Sequence, residues 1–289
     1  MKNKNIIRKE IELAGKKLSL ETGELATLAN MAVKAQYGDT IVLVTAVAGE
    51  YNAEIDYFPL NIQYIEKFYA SGTIKSSRFQ KRTGRPTDEA IITGRMMDHN
   101  VRPLFPSDFY NEVQIVATVL SLDDNCDPKL ISLIGASAAL QASNIPWEGP
   151  LAPVRVGHVN DDYVIAPSRE ELHNGSDLDM MVTFIGKDKK FLGVEAEANV
   201  VPEEKILGAV EFARNNSDEI FDLIIDFVSK VNPNNEKMEY EPRALPHELV
   251  DDVTDIAKEK IYKVMEEGFD KDDMNEKLSE VLEEVYSGL

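Results

Sequence analysis

The chain has 289 residues, 43% of them apolar, a single cysteine (Cys126) and a formal net charge of -20. That length supports one large core with a smaller domain, or two domains. The lone cysteine excludes an intrachain disulfide and points to the reducing cytoplasm, the lack of any run of about 18 apolar residues excludes a membrane helix, and the acidic balance excludes a general attraction to nucleic acid or anionic membrane.

The N-terminus, MKNKNIIRKEIEL, has cations but no apolar stretch and no small-residue cleavage site. It reads as the start of a strand and not as a signal peptide. Residues 6–21 alternate apolar and polar twice around Gly15-Lys16-Lys17, the pattern of a hairpin. Residues 25–37 are ambiguous, since their alanine content favours helix. A turn at Gly38-Asp39-Thr40 precedes Ile41 to Val47, a β-branched run that predicts a buried strand. Residues 58–65 predict another strand.

Between Lys67 and Arg102 the charge reverses. Eight cations (Lys67, Lys75, Arg78, Lys81, Arg82, Arg85, Arg95, Arg102) face only Asp88, Glu89 and Asp98, a local excess of +5. A solvated basic loop is the plain reading. Attraction to a polyanion is the functional one, because Lys and Arg bind backbone phosphates without reading sequence. Phe79 lies just before Lys81 and Arg82, and an aromatic beside two cations suits single-stranded nucleic acid: a base stacks while the cations hold phosphates. Gly84 to Glu89 ends this loop in a helix start. Pro86 suits a first turn, Thr87 a cap, and Asp88 and Glu89 the positive end of the helix dipole. The helix runs over 90–101 until Pro103 and Pro106 stop it. Arg95 and Arg102, seven apart, are expected on one face.

Residues 112–122 alternate as a strand. Asp127-Pro128 opens a helix through Gln141 whose small residues (Gly135-Ala136-Ser137-Ala138-Ala139) predict close packing. Residues 144–150 are a loop in which Trp147 reads as a packing anchor. Hairpins follow around Asn160-Asp161-Asp162 and around residues 186–189. Pro202-Glu203-Glu204 opens one long helix with Ile206, Val210, Ala213, Ile220, Ile224 and Val228 on its core stripe. Strands and hairpins interleaved with helices make the fold α+β, without a glycine-rich phosphate loop. After a polar stretch from Asn232, residues 241–289 carry 15 acids and six bases, with apolar residues at helical spacing. They predict a helical hairpin or bundle fragment. Cys126 has no Cys or His at metal spacing, so no metal site is expected.

The order Tyr69-Ala70-Ser71-Gly72, Phe79-Gln80-Lys81-Arg82, Gly84-Arg85-Pro86 and Val101-Arg102-Pro103-Leu104-Phe105-Pro106 resembles the first core of the bacterial polynucleotide phosphorylases. The resemblance covers residues 6 to 289. It implies a strand over 25–37 and an α+β, ribonuclease PH-like core of mixed sheets with packed helices over 1–231. A linker over 232–245 and a small all-helical domain over 246–289 would follow. It further implies that Phe79, Lys81, Arg82, Arg85, Arg95 and Arg102 contact RNA at the aperture of a homotrimeric ring. Gln80 replaces a second Phe, and His99 an Arg. The activity implied for the parent is phosphorolysis of RNA from the 3′ end, with inorganic phosphate as co-substrate and Mg²⁺ as cofactor; its setting would be mRNA turnover, in company with RNA-degradation assembly proteins.

The family's phosphate cradle and metal carboxylates lie in a second core. At the corresponding places here stand Asp127-Pro128-Lys129 instead of small serines and His173 instead of the first metal aspartate, while Asp179 is kept. Asp127 would repel phosphate and Pro128 offers no N–H. This core is therefore expected to hold no catalytic and no metal residue, and to be inactive alone. A stand-alone RNA-binding subunit and an autonomous ribonuclease PH-like exoribonuclease are the alternatives.

Overall fold

The computed structural model describes residues 6–51, 54–74, 84–243 and 245–288. The chain forms two compact units, Met1–Glu241 and Pro242–Leu289.

In the first unit, β1 (Ile7–Leu13) and β2 (Lys16–Thr22) form the expected hairpin, and the ambiguous 25–37 stretch resolves as β3 (Met31–Tyr37). Its alanines sit on strand faces: Ala35 is fully buried, so packing overrides helix propensity. With β4 (Thr40–Tyr51), β5 (Leu60–Ile65) and β6 (Asn111–Ser121) they make a six-stranded sheet of order β1-β2-β3-β4-β6-β5. Every pairing is antiparallel except β5 with β6. A parallel pair needs a crossover, and that is the job of α1 (Asp88–Val101), which packs on β5. Gly94 permits the close approach, since a Cβ there would lie 3.6 Å from the Ile62 carbonyl oxygen. Thr87 caps α1, its hydroxyl accepting from Ala90 N at 3.0 Å, so Pro86 precedes the helix and is not in its first turn.

A second sheet has order β10-β9-β7-β8, all antiparallel. Its strands are β7 (Leu151–Val159), β8 (Asp162–Ile165), β9 (Ser176–Ile185) and β10 (Lys190–Ala198). Between the sheets lies α2 (Pro128–Ala142), with twelve of its 15 residues buried. A helix apolar on all sides belongs inside. Leu133 and Ile134 are fully buried and each contributes roughly 1.5–3 kcal/mol. Gly135 sets its depth: a Cβ would stand 2.8 Å from Val44 Cγ2 and 3.3 Å from Ala35 Cβ. The buried Ser137 hydroxyl accepts from Leu151 N at 3.0 Å and so ties the helix to the second sheet.

A short helix missing from the sequence reading, α3 (Arg169–Asn174), precedes β9; its Ser168 and Glu171 form a capping box. The single long helix expected after Pro202 is two, α4 (Glu203–Asn215) and α5 (Asp218–Val231). The break falls where Asn216 N and Ser217 N turn back onto carbonyls of the α4 end. Both halves keep the predicted stripe, which is why periodicity alone joined them. Trp147 is the anchor expected of it: it is 5% exposed and its Nε1 donates to Val101 O at 3.1 Å. Residues 232–240 follow the core closely. Lys237 Nζ donates to the carbonyls of Leu140, Gln141 and Ser143, and the Tyr240 hydroxyl to Asp108 Oδ1 at 2.8 Å.

The second unit is a hairpin of α6 (His247–Glu267) and α7 (Lys271–Gly288), turned by Gly268 at a φ of 67°. Ala257, Val264, Val281 and Val285 form its small apolar seam.

Candidate functional site

At one end of the first unit the C-terminal ends of β5, β6 and β10 meet the N-terminus of α2, the N-terminal end of β9 and one side of α3. They enclose a cavity of about 960 Å³. The residues that stand at the places of the family's phosphate cradle and metal carboxylates, Asp127, Pro128, Lys129, His173 and Asp179, all line it, and Asp177 lines it beside them.

Arg155, on β7, is the residue that sequence reading missed, and it organises the cavity. Its Nε and Nη2 donate to the two carboxylate oxygens of Asp179 at 2.8 and 2.6 Å. Its Nη1 stands 2.6 Å from Asp127 Oδ2. Arg155 faces Met181 across the β7–β9 ladder and Asp179 faces Gly157, so the two side chains meet diagonally. The Arg155 side chain is 14% exposed and that of Asp127 8%. Burial alone would lower the guanidinium pKa, but the hydrogen bonds and charges of Asp179 and Asp127 more than offset it and raise the pKa. Asp127 also caps α2, its Oδ1 accepting from Lys129 N at 3.0 Å.

Asp177 is committed in the other direction. Its Oδ1 lies 2.6 Å from Nδ1 of the buried His158, whose Nε2 is 3.4 Å from Lys205 Nζ. An ammonium only donates. Nε2 is therefore the acceptor, and the Nδ1 proton points at Asp177. Lys205 also donates to Asp161 Oδ1 at 2.9 Å, which lowers the Asp161 pKa, chiefly through that hydrogen bond.

These contacts decide what the cavity can hold. Mg²⁺ takes near-octahedral oxygen ligands. Both oxygens of Asp179 are bound by Arg155, Asp177 is turned to His158, and no group of three or more His, Cys, Asp or Glu able to hold a metal exists among the described residues. The residues do not fit Mg²⁺. They do not fit inorganic phosphate either: at the α2 N-terminus, where backbone N–H groups receive anions, Asp127 already occupies the Lys129 N–H and Pro128 has none.

The RNA-contact candidates divide three ways. Phe79, Lys81 and Arg82 lie outside the described residues. Arg85 and Arg95 are exposed. Arg85 lines an apolar cavity of about 470 Å³ with Phe68, Ala70 and Val119, and Arg95 a groove of about 570 Å³ between α1 and β5. Both hollows share Tyr64, Ile65, Pro86 and Ala90, which puts the two cations on adjoining surfaces. Arg102 lines the same groove as Arg95, but its guanidinium is occupied. It donates to Asp98 Oδ2 and Oδ1 at 2.9 and 2.7 Å, and to the carbonyls of Phe58 and Leu60 at 3.2 and 3.3 Å. It braces the β5 end against α1.

Comparison with known proteins bears on this geometry. Models of the 3′ exoribonuclease family match in tandem, domain 1 over residues 14–146 and domain 2 over residues 149–216. Polyribonucleotide nucleotidyltransferase of Natranaerobius thermophilus is 47% identical over 256 residues, 88% of this chain and 35% of that protein. The same-named proteins of Caldicellulosiruptor saccharolyticus and Staphylococcus carnosus are 42% and 39% identical, each over 96% of this chain and 38% of the relative. The chain thus spans little more than a third of these relatives. The crystal structure of rice (Oryza sativa) Rrp46 superposes with a TM-score of 0.59 at 12% identity, over 78% of this chain and 95% of that one, a likeness of fold alone. No described helix is long and apolar enough to cross a membrane. With both of its domains joined in one core, the chain belongs to the 3′ exoribonuclease family.

Proposed function

We propose that this chain is the first-core portion of a polyribonucleotide phosphorylase, an enzyme that releases nucleoside diphosphates from the 3′ end of RNA with inorganic phosphate and Mg²⁺. In this reading it supplies RNA-entry contacts and part of a trimeric ring in the cytoplasm, and the phosphorolytic centre with its Mg²⁺ lies in a second core. The observation that carries the reading is the Arg155 ion pairing. It joins Asp127 and Asp179 where the family's cradle and metal carboxylate would work, so neither is available to phosphate or metal.

What this chain contributes is cationic surface. Phosphate contacts supply affinity without sequence preference, and Arg85, just before α1, and Arg95, midway along it, are exposed on adjoining hollows. Phe79, Lys81 and Arg82 precede Arg85 in the sequence, and in this reading they add two cations for phosphates and one aromatic for base stacking.

The test is fluorescence anisotropy of a labelled oligo(A) with the 289-residue chain at two salt concentrations, with nucleoside diphosphate release followed in the same sample. Salt-sensitive binding without release is expected. Release of nucleoside diphosphate in the presence of phosphate would overturn the assignment of catalysis to another core.

A further inference from the structure

The two faces of the six-stranded sheet differ. α2 packs on β3, β4 and β6 from the side of Ala35, Val42, Val44 and Ala46, all fully buried. The alternate residues of β4, Ile41, Leu43, Thr45 and Val47, point away from α2. Directly opposed residues of a ladder share a face, so Lys34 and Thr118 flank Leu43, Ala32 and Val116 flank Thr45, and Gln114 stands beside Val47. Among the described residues, Ile41, Leu43, Val47 and Val116 belong neither to the core cluster nor to the apolar residues packed against it. Ile41, Leu43 and Val116 are half-buried, and Val47 is 37% exposed.

An antiparallel sheet with one solvated face alternates apolar and polar residues along each strand, whereas a near-continuous apolar run marks a strand covered on both faces. Ile41-Val42-Leu43-Val44-Thr45-Ala46-Val47 is such a run, so β4 is built for cover on the side away from α2 as well. Charge decides what that cover is. The formal net charge of -20 drives copies of the chain apart. Yet the one charged group in these rows, Lys34, is neutralised by Glu21, its Nζ 2.5 Å from Oε1. The rest of the face carries no charge, so a copy of the same face meets it without opposing like charges. Strand spacing and rise give the face roughly 15 by 20 Å, which sets the association in the weak, transient class.

We infer that this face of β3, β4 and β6 docks on the same face of a second copy of the chain, about a two-fold axis that sets the two sheets against each other. Leu43, Thr45 and Val116 lie at its centre. The inference rests on the sheet alone and does not depend on RNA binding.

Sedimentation equilibrium of the 289-residue chain over about 1–300 µM tests this. A reversible monomer–dimer equilibrium is expected. Thr45→Glu sets like charges across the two-fold in the middle of the face and should weaken the dimer by at least about tenfold, as should Thr45→Lys. An equimolar mixture of the two should sediment as a dimer again, because opposite charges then meet. Leu207→Glu, at an exposed position on α4, should leave the dimer unchanged. Circular dichroism melts confirm that each variant folds, and Val47→Glu, at a more exposed position of the same face, keeps the test decisive should the Thr45 variants not. Monomer throughout, a species other than a dimer, a dimer that the face variants leave intact, equal weakening by Leu207→Glu, or no recovery in the mixture would each overturn the inference.

Discussion

Arg155 grips both oxygens of Asp179 at 2.8 and 2.6 Å and reaches Asp127 with its third nitrogen. Removing the cation alone strands two partly buried acids. Arg155→Met should therefore lower the urea-derived unfolding free energy by about 3–5 kcal/mol, while the triple replacement Arg155→Met/Asp127→Asn/Asp179→Asn should recover a large part of that loss. Equal losses in the two variants would mean that the ion pairs contribute little.

Arg102 and Arg95 differ in what holds them, and their variants should differ accordingly. Arg95→Ala and Arg85→Ala should flatten the salt dependence of oligo(A) binding, each by about 0.7 in the logarithmic slope if one phosphate contact is lost, with the thermal midpoint unchanged. Arg102→Ala should lower the midpoint instead, because Asp98 and two backbone carbonyls lose their donor. Anisotropy across a salt series and a melting curve read the two effects separately. Lys81→Ala/Arg82→Ala should follow the Arg95 pattern, and Phe79→Ala should weaken binding with the slope intact.

Gly135 is a packing requirement. Gly135→Val would drive branched carbon into Val44 Cγ2, which a bare Cβ already meets at 2.8 Å. The expected cost is about 1–3 kcal/mol, read from chemical denaturation. Gly15→Val makes a useful contrast. Nothing lies within 4 Å there, and the cost comes from its φ of 75° alone.

Lys237 links stability to pH. Its ammonium sits among the last carbonyls of α2, and burial pushes its pKa down to about 8. In the unfolded chain it titrates near the ordinary lysine value of about 10.4. Between those values the unfolded state binds more protons, so stability attributable to this residue rises with pH. The stability difference between the wild type and Lys237→Met should shift in favour of the wild type from about pH 8 to about pH 10.4. A difference flat across that range would show that the amine titrates normally.

Local chemistry was legible where it acts over a few residues. The Thr87 cap, the Gly15 hairpin and the Asp127-Pro128 helix start are each encoded within four positions, and each is found. The break between α4 and α5 was invisible because Ile206, Val210 and Ile220, Ile224 share one apolar rhythm across it, while the turn depends on backbone hydrogen bonds at Asn216 and Ser217. The substitutions at Asp127 and Asp179 could be read as a departure from phosphate chemistry. What joins them could not. Arg155 is 28 residues from one acid and 24 from the other: the register of β7 against β9 sets it beside Asp179, and the packing of the α2 N-terminus brings Asp127 to it.

The central helix has a consequence for how this family's two domains relate. The boundary between their matched segments falls at 146–149, yet α2, from the first segment, fills the space beneath β7, from the second, and binds its first amide through Ser137. Severed at that boundary, the N-terminal fragment would present a greasy cylinder with one flank uncovered, and the C-terminal fragment a sheet lacking its floor. The two are one folding unit divided by description, and fragments made at the boundary should regain structure only when mixed.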